Sequence, residues 1–143
     1  MGVAIAMDTI HLTRLNLMTL IKSISGIRGT IGGKEGDALT PIDIVRYTAA
    51  YCHIIQREKS SQAVTIVVGR DARISGAMVS ALMAQTLSAM GASVINLGLS
   101  TTPSVEVAVK DLRADGGIII TASHNPVQWN ALKLLNAQGE FIS

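Results

Sequence analysis

Apolar side chains recur along the chain in two periods, one typical of buried strands and one typical of amphipathic helices. Three short runs rich in β-branched and aliphatic residues, bounded by polar or glycine positions, lie at residues 63–68, 93–97 and 117–120. Runs of this length and composition predict strands inside a sheet. A weaker alternation over residues 20–25 predicts one further strand, and the glycines of residues 26–29 predict a turn after it.

Helical spacing is clearest over residues 75–90, where apolar positions recur every three or four residues. A second helix is predicted over residues 40–58. Thr40 is its N-cap, a proline takes the first helical position, and Asp43 stands at the capping-box position. A third helix is predicted over residues 102–112, again with a proline at its start.

Strands and helices alternate along the chain in this prediction, which indicates the α/β class. We expect a three-layer α/β/α domain with a mostly parallel sheet and right-handed crossovers. In such a sheet the carboxyl ends of the parallel strands share one edge and carry the chemistry. The loops at residues 69–73 and 121–126 are therefore expected to lie side by side on that edge.

Composition and charge narrow the classes of partner. Apolar residues make up 48% of the chain but aromatic residues only 3%, so the core must be aliphatic. The net charge of +2 is spread along the chain. We therefore expect no nucleic-acid and no membrane partner, whereas a small anionic ligand fits. Cys52 is the single cysteine and has no internal disulfide partner, which predicts a packing role and a reducing, cytoplasmic location.

The first seventeen residues differ from the rest of the chain. They lack the basic start of a signal peptide, and Asp8 and Arg14 interrupt their apolar stretch, so a membrane helix does not fit either. We expect residues 1–17 to be an N-terminal tail or a misread start. Residues 18–143 are expected to form one domain.

Chemically capable side chains cluster directly after the most apolar run, in Thr-Ala-Ser-His-Asn-Pro at residues 121–126. Alone, this cluster favours an ordinary solvated turn set by Asn125 and the following proline. A hydrolase nucleophile elbow would need glycines where Thr121 and Asn125 stand. A phosphate-binding P-loop over residues 28–35 would need a glycine in place of Arg28.

Several segments together resemble the α-D-phosphohexomutase superfamily, which includes phosphoglucomutases, phosphomannomutases and phosphoglucosamine mutases. The strongest is Gly-Ile-Ile-Ile-Thr-Ala-Ser-His-Asn-Pro at residues 117–126, which resembles the family's active-site loop. Residues 26–29 resemble its N-terminal active-site turn, residues 69–75 its second stretch, and Thr102-Pro103 a familiar helix start. The resemblance covers residues 20–143 and is to the first, N-terminal domain of the family.

The resemblance implies roles for four residues. Ser123 would carry the phosphate, Lys133 would be the lysine that follows the catalytic loop, and Arg28 would face the same phosphate. A phosphoserine brings nearly two negative charges, so moving that group needs positive charge and alignment. His124 would orient or shuttle a proton at the sugar hydroxyl. Without the resemblance, Arg28 and Lys133 would be interpreted as solvated surface charges.

Magnesium is the cofactor that the resemblance implies, and here it would be bound through the phosphate on Ser123. The family's Asp-Gly-Asp-Gly-Asp metal loop is absent from this sequence. We therefore expect the remaining metal ligands to lie outside this fragment, in the other domains of a four-domain parent enzyme. The isolated fragment is expected to be inactive.

Other residues in the matching segments carry weaker expectations. Asp71 is expected to pair with Arg73 and brace the loop, a supporting role. Ser25, Trp129 and Ala131 stand where the family usually has other residue types. These departures affect the substrate contacts, and Trp129 either stacks on a sugar or packs.

The whole enzyme would interconvert hexose 1-phosphate and hexose 6-phosphate through a bisphosphorylated intermediate. Its expected partners are the hexose phosphate and the remaining domains. Self-association of the fragment is expected through surface that those domains would cover. Three alternatives remain open: a phosphoglucosamine mutase of amino-sugar and cell-wall precursor synthesis, a non-catalytic domain that binds anionic sugars, and a serine hydrolase.

Overall fold

The computed structural model describes residues 18–142, which form six strands and three helices. The predicted tail at residues 1–17 lies outside the described residues. In chain order the elements are β1 (Ile21–Ser23), β2 (Gly26–Thr30), α1 (Pro41–Lys59), β3 (Thr65–Arg70), α2 (Gly76–Ala89), β4 (Ser93–Leu99), α3 (Thr102–Asp111), β5 (Gly116–Ile120) and β6 (Trp129–Leu135). The predicted helices and the three apolar strands are confirmed, with ends that differ by about two residues.

All six strands belong to one sheet in the order β1-β2-β6-β5-β3-β4. Strand β3 pairs in parallel with β4 and β5, whereas β6 pairs antiparallel with β5 and β2, and β1 antiparallel with β2. The predicted α/β class is confirmed, but the sheet is mixed instead of mostly parallel. The reason is the connection of residues 121–128, which is too short for the crossover that a parallel neighbour requires.

Helices cover both faces of the sheet, as the three-layer prediction requires. Ile66 and Val68 of β3 belong to the apolar cluster that includes helices α1 and α2. Val67, between them, belongs to a second cluster with Val105 and Val109 of α3. Because successive side chains of a strand point to opposite faces, one strand contributes to both cores.

Helix α1 begins at the predicted capping box. The Thr40 hydroxyl accepts a hydrogen bond from the Asp43 amide at 3.3 Å, and the Asp43 carboxylate accepts one from the Thr40 amide at 3.2 Å. Burial alone would raise the pKa of Asp43, but hydrogen bonds from the Thr40 hydroxyl and from backbone amides lower it below its ordinary value of 3.8. The carboxylate therefore stays ionised and accepts a hydrogen bond from a backbone amide that has no partner within the helix.

Two parts of the fold differ from the prediction. Residues 26–29, predicted as a turn, form most of strand β2. Gly26 has φ +118°, and a Cβ on it would lie 2.6 Å from the carbonyl oxygen of Leu132, so this glycine serves close strand pairing. Strand β6 was not predicted. Its buried Asn130 and half-buried Lys133 interrupt the apolar pattern by which buried strands are recognised.

Candidate active site

A cavity of about 230 Å³ opens where the loop after β5 meets strands β2 and β6. All four residues predicted to be catalytic line it, two from the loop and two from the strands. Their neighbours in the wall are a serine, small side chains and an amide. The lining residues are Ser25, Arg28, Thr121, Ala122, Ser123, His124, Asn125, Ala131 and Lys133.

Strand pairing explains why Arg28 and Lys133 reach the same cavity. Arg28 is the register partner of Ala131, and Lys133 is the partner of Ile119. Partners in an antiparallel pair point to the same face, and residues two apart on a strand do so too. Arg28, Ala131 and Lys133 therefore share one sheet face. Helix α3 packs on β3 and β5 of this face.

Electrostatically, the cavity suits an anion. Two cationic residues, Arg28 and Lys133, line it, and no Asp or Glu is among its lining residues in the described chain. The Nε of Arg28 is buried and has no hydrogen-bond partner within residues 18–142. A buried charged donor without a partner is costly, so this group is suited to an acceptor brought by a ligand.

The Ser123 loop is a tight turn held by its own backbone. The Ser123 amide donates to the Thr121 hydroxyl at 3.1 Å, and the Asn125 amide donates to the Ala122 carbonyl at 3.0 Å. Ser123 is exposed and has φ +52°, a left-handed conformation that costs a non-glycine residue about 1–2 kcal/mol. Such strain persists only where surrounding contacts hold it.

Arg73 supplies contacts of that kind from the neighbouring loop. Its guanidinium donates to the backbone carbonyls of Ser123, Asn125, Pro126 and Trp129, at distances of 2.6–3.0 Å. Asp71 lies beside it, with Oδ2 3.3 Å from Arg73 Nε. The predicted pairing of Asp71 with Arg73 is confirmed, and so is the predicted closeness of the two loops.

One link to this loop was missed from the sequence. The side chain of Asn130 is fully buried, and its Nδ2 donates to the Ser75 hydroxyl at 2.9 Å, which joins the start of β6 to the start of α2. A buried asparagine can be found only once its strand is assigned. Trp129 is half-buried and is not part of the cavity wall.

Two kinds of feature are absent from residues 18–142, a metal cluster and a membrane-spanning helix. No group of three or more His, Cys, Asp or Glu side chains there could hold a metal ion. No helix in that part of the chain is long and apolar enough to cross a membrane.

Comparisons with known proteins agree on one family. The family model described as phosphoglucomutase/phosphomannomutase, alpha/beta/alpha domain I, matches residues 20–143. A phosphoglucomutase/phosphomannomutase of Thermococcus kodakarensis is 37% identical over 113 residues, covering 78% of this chain and 25% of the relative. A phosphoglucosamine mutase of Helicobacter pylori is 39% identical over 115 residues, covering 79% of this chain and 25% of the relative.

Solved structures give the same result. A Thermus thermophilus protein assigned provisionally as a phosphomannomutase superposes with a TM-score of 0.74 at 30% identity, covering 87% of this chain and 27% of its own. A Burkholderia thailandensis protein of the phosphoglucomutase/phosphomannomutase family has a TM-score of 0.69 at 26% identity, over 89% of this chain and 27% of its own. The chain spans about a quarter of the length of the relatives it matches.

Proposed function

The chain belongs to the phosphoglucomutase/phosphomannomutase family, as its α/β/α domain I, and from this we propose that Ser123 carries the phosphoryl group of a phosphohexomutase. The activity is that of a whole enzyme to which this domain contributes the phosphoserine. The observation that carries the proposal is the exposed Ser123 at a cavity lined by Arg28 and Lys133 and by no carboxylate of the described chain.

Two transfers make up the proposed reaction. In the first, a free hydroxyl oxygen of the hexose phosphate attacks the phosphorus of phosphoserine, a new O–P bond forms, and the bond between phosphorus and Ser123 Oγ breaks. The hydroxyl proton ends on the released serine oxygen. In the second, Ser123 Oγ attacks the phosphorus of the other phosphate of the bisphosphorylated sugar and a new O–P bond forms. The bond between that phosphorus and its sugar oxygen breaks, and the serine proton ends on the released sugar oxygen. Phosphate and protons balance over the cycle, and the net change is movement of phosphate between two hydroxyls.

Arg28 and Lys133 stabilise the phosphoryl group in both transfers. The group carries nearly two negative charges, and charge-assisted hydrogen bonds to it are stronger than neutral ones. Arg28 is the better placed for a directional contact, because its buried Nε has no other partner in the described residues. Lys133 acts as a point charge, and its ammonium nitrogen lies 5.8 Å from the ring centroid of Phe141.

His124 is exposed beside Ser123 and is proposed to orient or move the proton of the sugar hydroxyl. For magnesium, residues 18–142 offer no set of acidic ligands. The contribution of this chain to a magnesium site would be an oxygen of the phosphate on Ser123. Bound there, the ion would neutralise part of the phosphoryl charge.

We propose a hexose 1-phosphate and hexose 6-phosphate pair as substrates, of the glucose or mannose type. The alternative substrate is an amino-sugar phosphate, because some of the similar proteins are named phosphoglucosamine mutase. Other domains of the parent enzyme would complete the cleft. We place the enzyme in the cytoplasm, because Cys52 is buried and unpaired and the chain has no second cysteine.

The test is the appearance of phosphate on Ser123. The full-length parent enzyme is incubated with glucose 1,6-bisphosphate and Mg²⁺ and analysed by intact and peptide mass spectrometry. We expect one added phosphate on the parent enzyme, located on Ser123, and no mutase turnover by residues 1–143 alone. The Ser123→Ala variant is expected to take up none.

Ser25→Ala is the matched control, because Ser25 lines the same cavity and its variant should still be phosphorylated. Arg28→Met and Lys133→Met should each slow phosphate uptake. A full-length relative that keeps its normal turnover after the equivalent serine is changed to alanine would refute the proposal.

A further inference from the structure

One largely buried side chain, that of Arg73, reaches both ends of the Ser123 turn. Nη2 of Arg73 donates to the carbonyls of Ser123 at 2.6 Å and Asn125 at 2.8 Å. Nη1 donates to the carbonyls of Pro126 at 2.8 Å and Trp129 at 3.0 Å. The Arg73 side chain is only 12% exposed. Four of the five N–H donors of its rigid guanidinium thus bind backbone carbonyls of one loop.

Asp71 forms an ion pair with that guanidinium. The Asp71 carboxylate lies 3.3 Å from Arg73 Nε and also accepts a hydrogen bond from the Arg73 backbone amide at 3.0 Å. The Asp71 backbone amide donates to the Ile120 carbonyl at 3.0 Å, at the end of β5. A short path therefore runs from strand β5 through Asp71 and Arg73 back to the loop that leaves the same strand.

We propose that Arg73 is a positioning residue for phosphoryl transfer, a proposal that rests on Ser123 being the phosphate carrier. Arg73 donates to the backbone carbonyl of Ser123 and so holds Ser123 in its left-handed conformation. The Ser123 hydroxyl therefore stays at the cavity with Arg28 and Lys133. Arg73 is not part of the cavity wall and acts only through the loop. A lysine cannot replace it, because three donors on one nitrogen cannot span four carbonyls.

The decisive variant is Arg73→Lys, compared with Arg57→Lys, a matched change at an exposed arginine on α1. The first readout is amide hydrogen exchange at Ser123, Asn125 and Trp129, whose amides close the turns of this loop. In Arg73→Lys we expect these three amides to exchange about tenfold faster, with those of α1 unchanged.

The second readout is the kinetics of Ser123 phosphorylation by glucose 1,6-bisphosphate in the full-length parent enzyme, followed by mass spectrometry. We expect the maximal rate in Arg73→Lys to fall about a hundredfold, since misplacement of about 1 Å at a reacting atom has that effect. The donor concentration giving half the maximal rate should stay the same, because Arg28 and Lys133 are intact. Arg57→Lys should match the wild type in both readouts.

Three results for Arg73→Lys would overturn the proposal. The loop amides could exchange at the wild-type rate, or the amides of α1 could exchange faster by the same factor as those of the loop. The third is an unchanged maximal rate of phosphorylation with a change only in the donor concentration that gives half of it. If Arg73→Lys does not fold, Asp71→Asn replaces it, and a smaller change of the same pattern is expected. An Asp71→Asn variant with wild-type loop exchange and wild-type phosphorylation kinetics would count against the role of Asp71 and Arg73 in holding the loop. If the wild-type parent enzyme acquires no phosphate, the proposed function fails, and the exchange readout still decides whether Arg73 holds the loop.

Discussion

Tyr51→Phe removes one buried hydroxyl that connects helix α1 to the two strands flanking the Ser123 loop. The phenol is 1% exposed, and its oxygen donates to the carbonyls of Leu135 at 2.7 Å and Gly117 at 3.2 Å. Burial raises the pKa of Tyr51 far above its ordinary value of 10.0, so the donor proton stays in place. A Cβ built on Gly116 would lie 2.1 Å from the same oxygen.

The magnitudes follow from these contacts. Tyr51→Phe removes the single hydroxyl proton that the two buried carbonyls share and should lower the free energy of unfolding by about 1–3 kcal/mol. Gly116→Ala forces the new methyl group into the hydroxyl and should cost about 3 kcal/mol or more. In the double variant the hydroxyl is gone, and the nearest remaining atom is the Leu135 carbonyl oxygen at 3.0 Å. The double variant should therefore be about 2 kcal/mol less destabilised than the two single losses added together.

Urea unfolding followed by circular dichroism measures all four members of this cycle. The midpoint should fall in each variant while the slope stays constant, which shows that only stability changed. Tyr47→Phe is the matched control on the same helix, at a half-buried tyrosine, and should change stability by less than about 0.5 kcal/mol. Losses in the double variant that simply add, within about 0.5 kcal/mol, would refute the reasoning.

Two further predictions concern pH and association. Because its folded-state pKa lies below the ordinary 3.8, Asp43 contributes stability that is full above that value and lost as the pH falls below it. In Asp43→Asn the urea midpoint should drop less between about pH 5 and pH 3. The variant should cost about 1 kcal/mol at neutral pH, because the neutral amide binds the Thr40 and Gly36 amides more weakly than the carboxylate does, while Asp111→Asn should behave as wild type. Ile74 is 87% exposed and Leu99 is 65% exposed, so light scattering should detect concentration-dependent self-association that Ile74→Ser weakens; a clean monomer at high concentration would contradict this.

Local patterns were sufficient to predict most elements. The capping box of Thr40 and Asp43 and the apolar period of α2 depend on residues within a few positions of one another, and both appear as predicted. The run of residues 117–120 is apolar enough to require burial on both faces in any α/β arrangement. The alternation of these elements also placed the loops of Asp71 and Ser123 on one edge of the sheet.

The arrangement of the site was decided by long-range pairing. Strand β6 is stabilised by partners on both sides, β2 and β5, and its buried Asn130 is satisfied by Ser75 of a distant segment. No local pattern reports such contacts. Family resemblance pointed to Arg28 and Lys133, but only their register on β2 and β6 shows that they share a face of the sheet.

By itself, the sequence determined the α/β class, the helix starts and the loop that carries Ser123, because these follow from the period and chemistry of neighbouring residues. The tertiary structure decided the mixed sheet, the cavity that joins Ser123 to Arg28 and Lys133, and the four hydrogen bonds from Arg73. The physical reason is that hydrogen bonds and charges act over a few ångströms in space. Only folding brings groups about a hundred positions apart in the chain within that range.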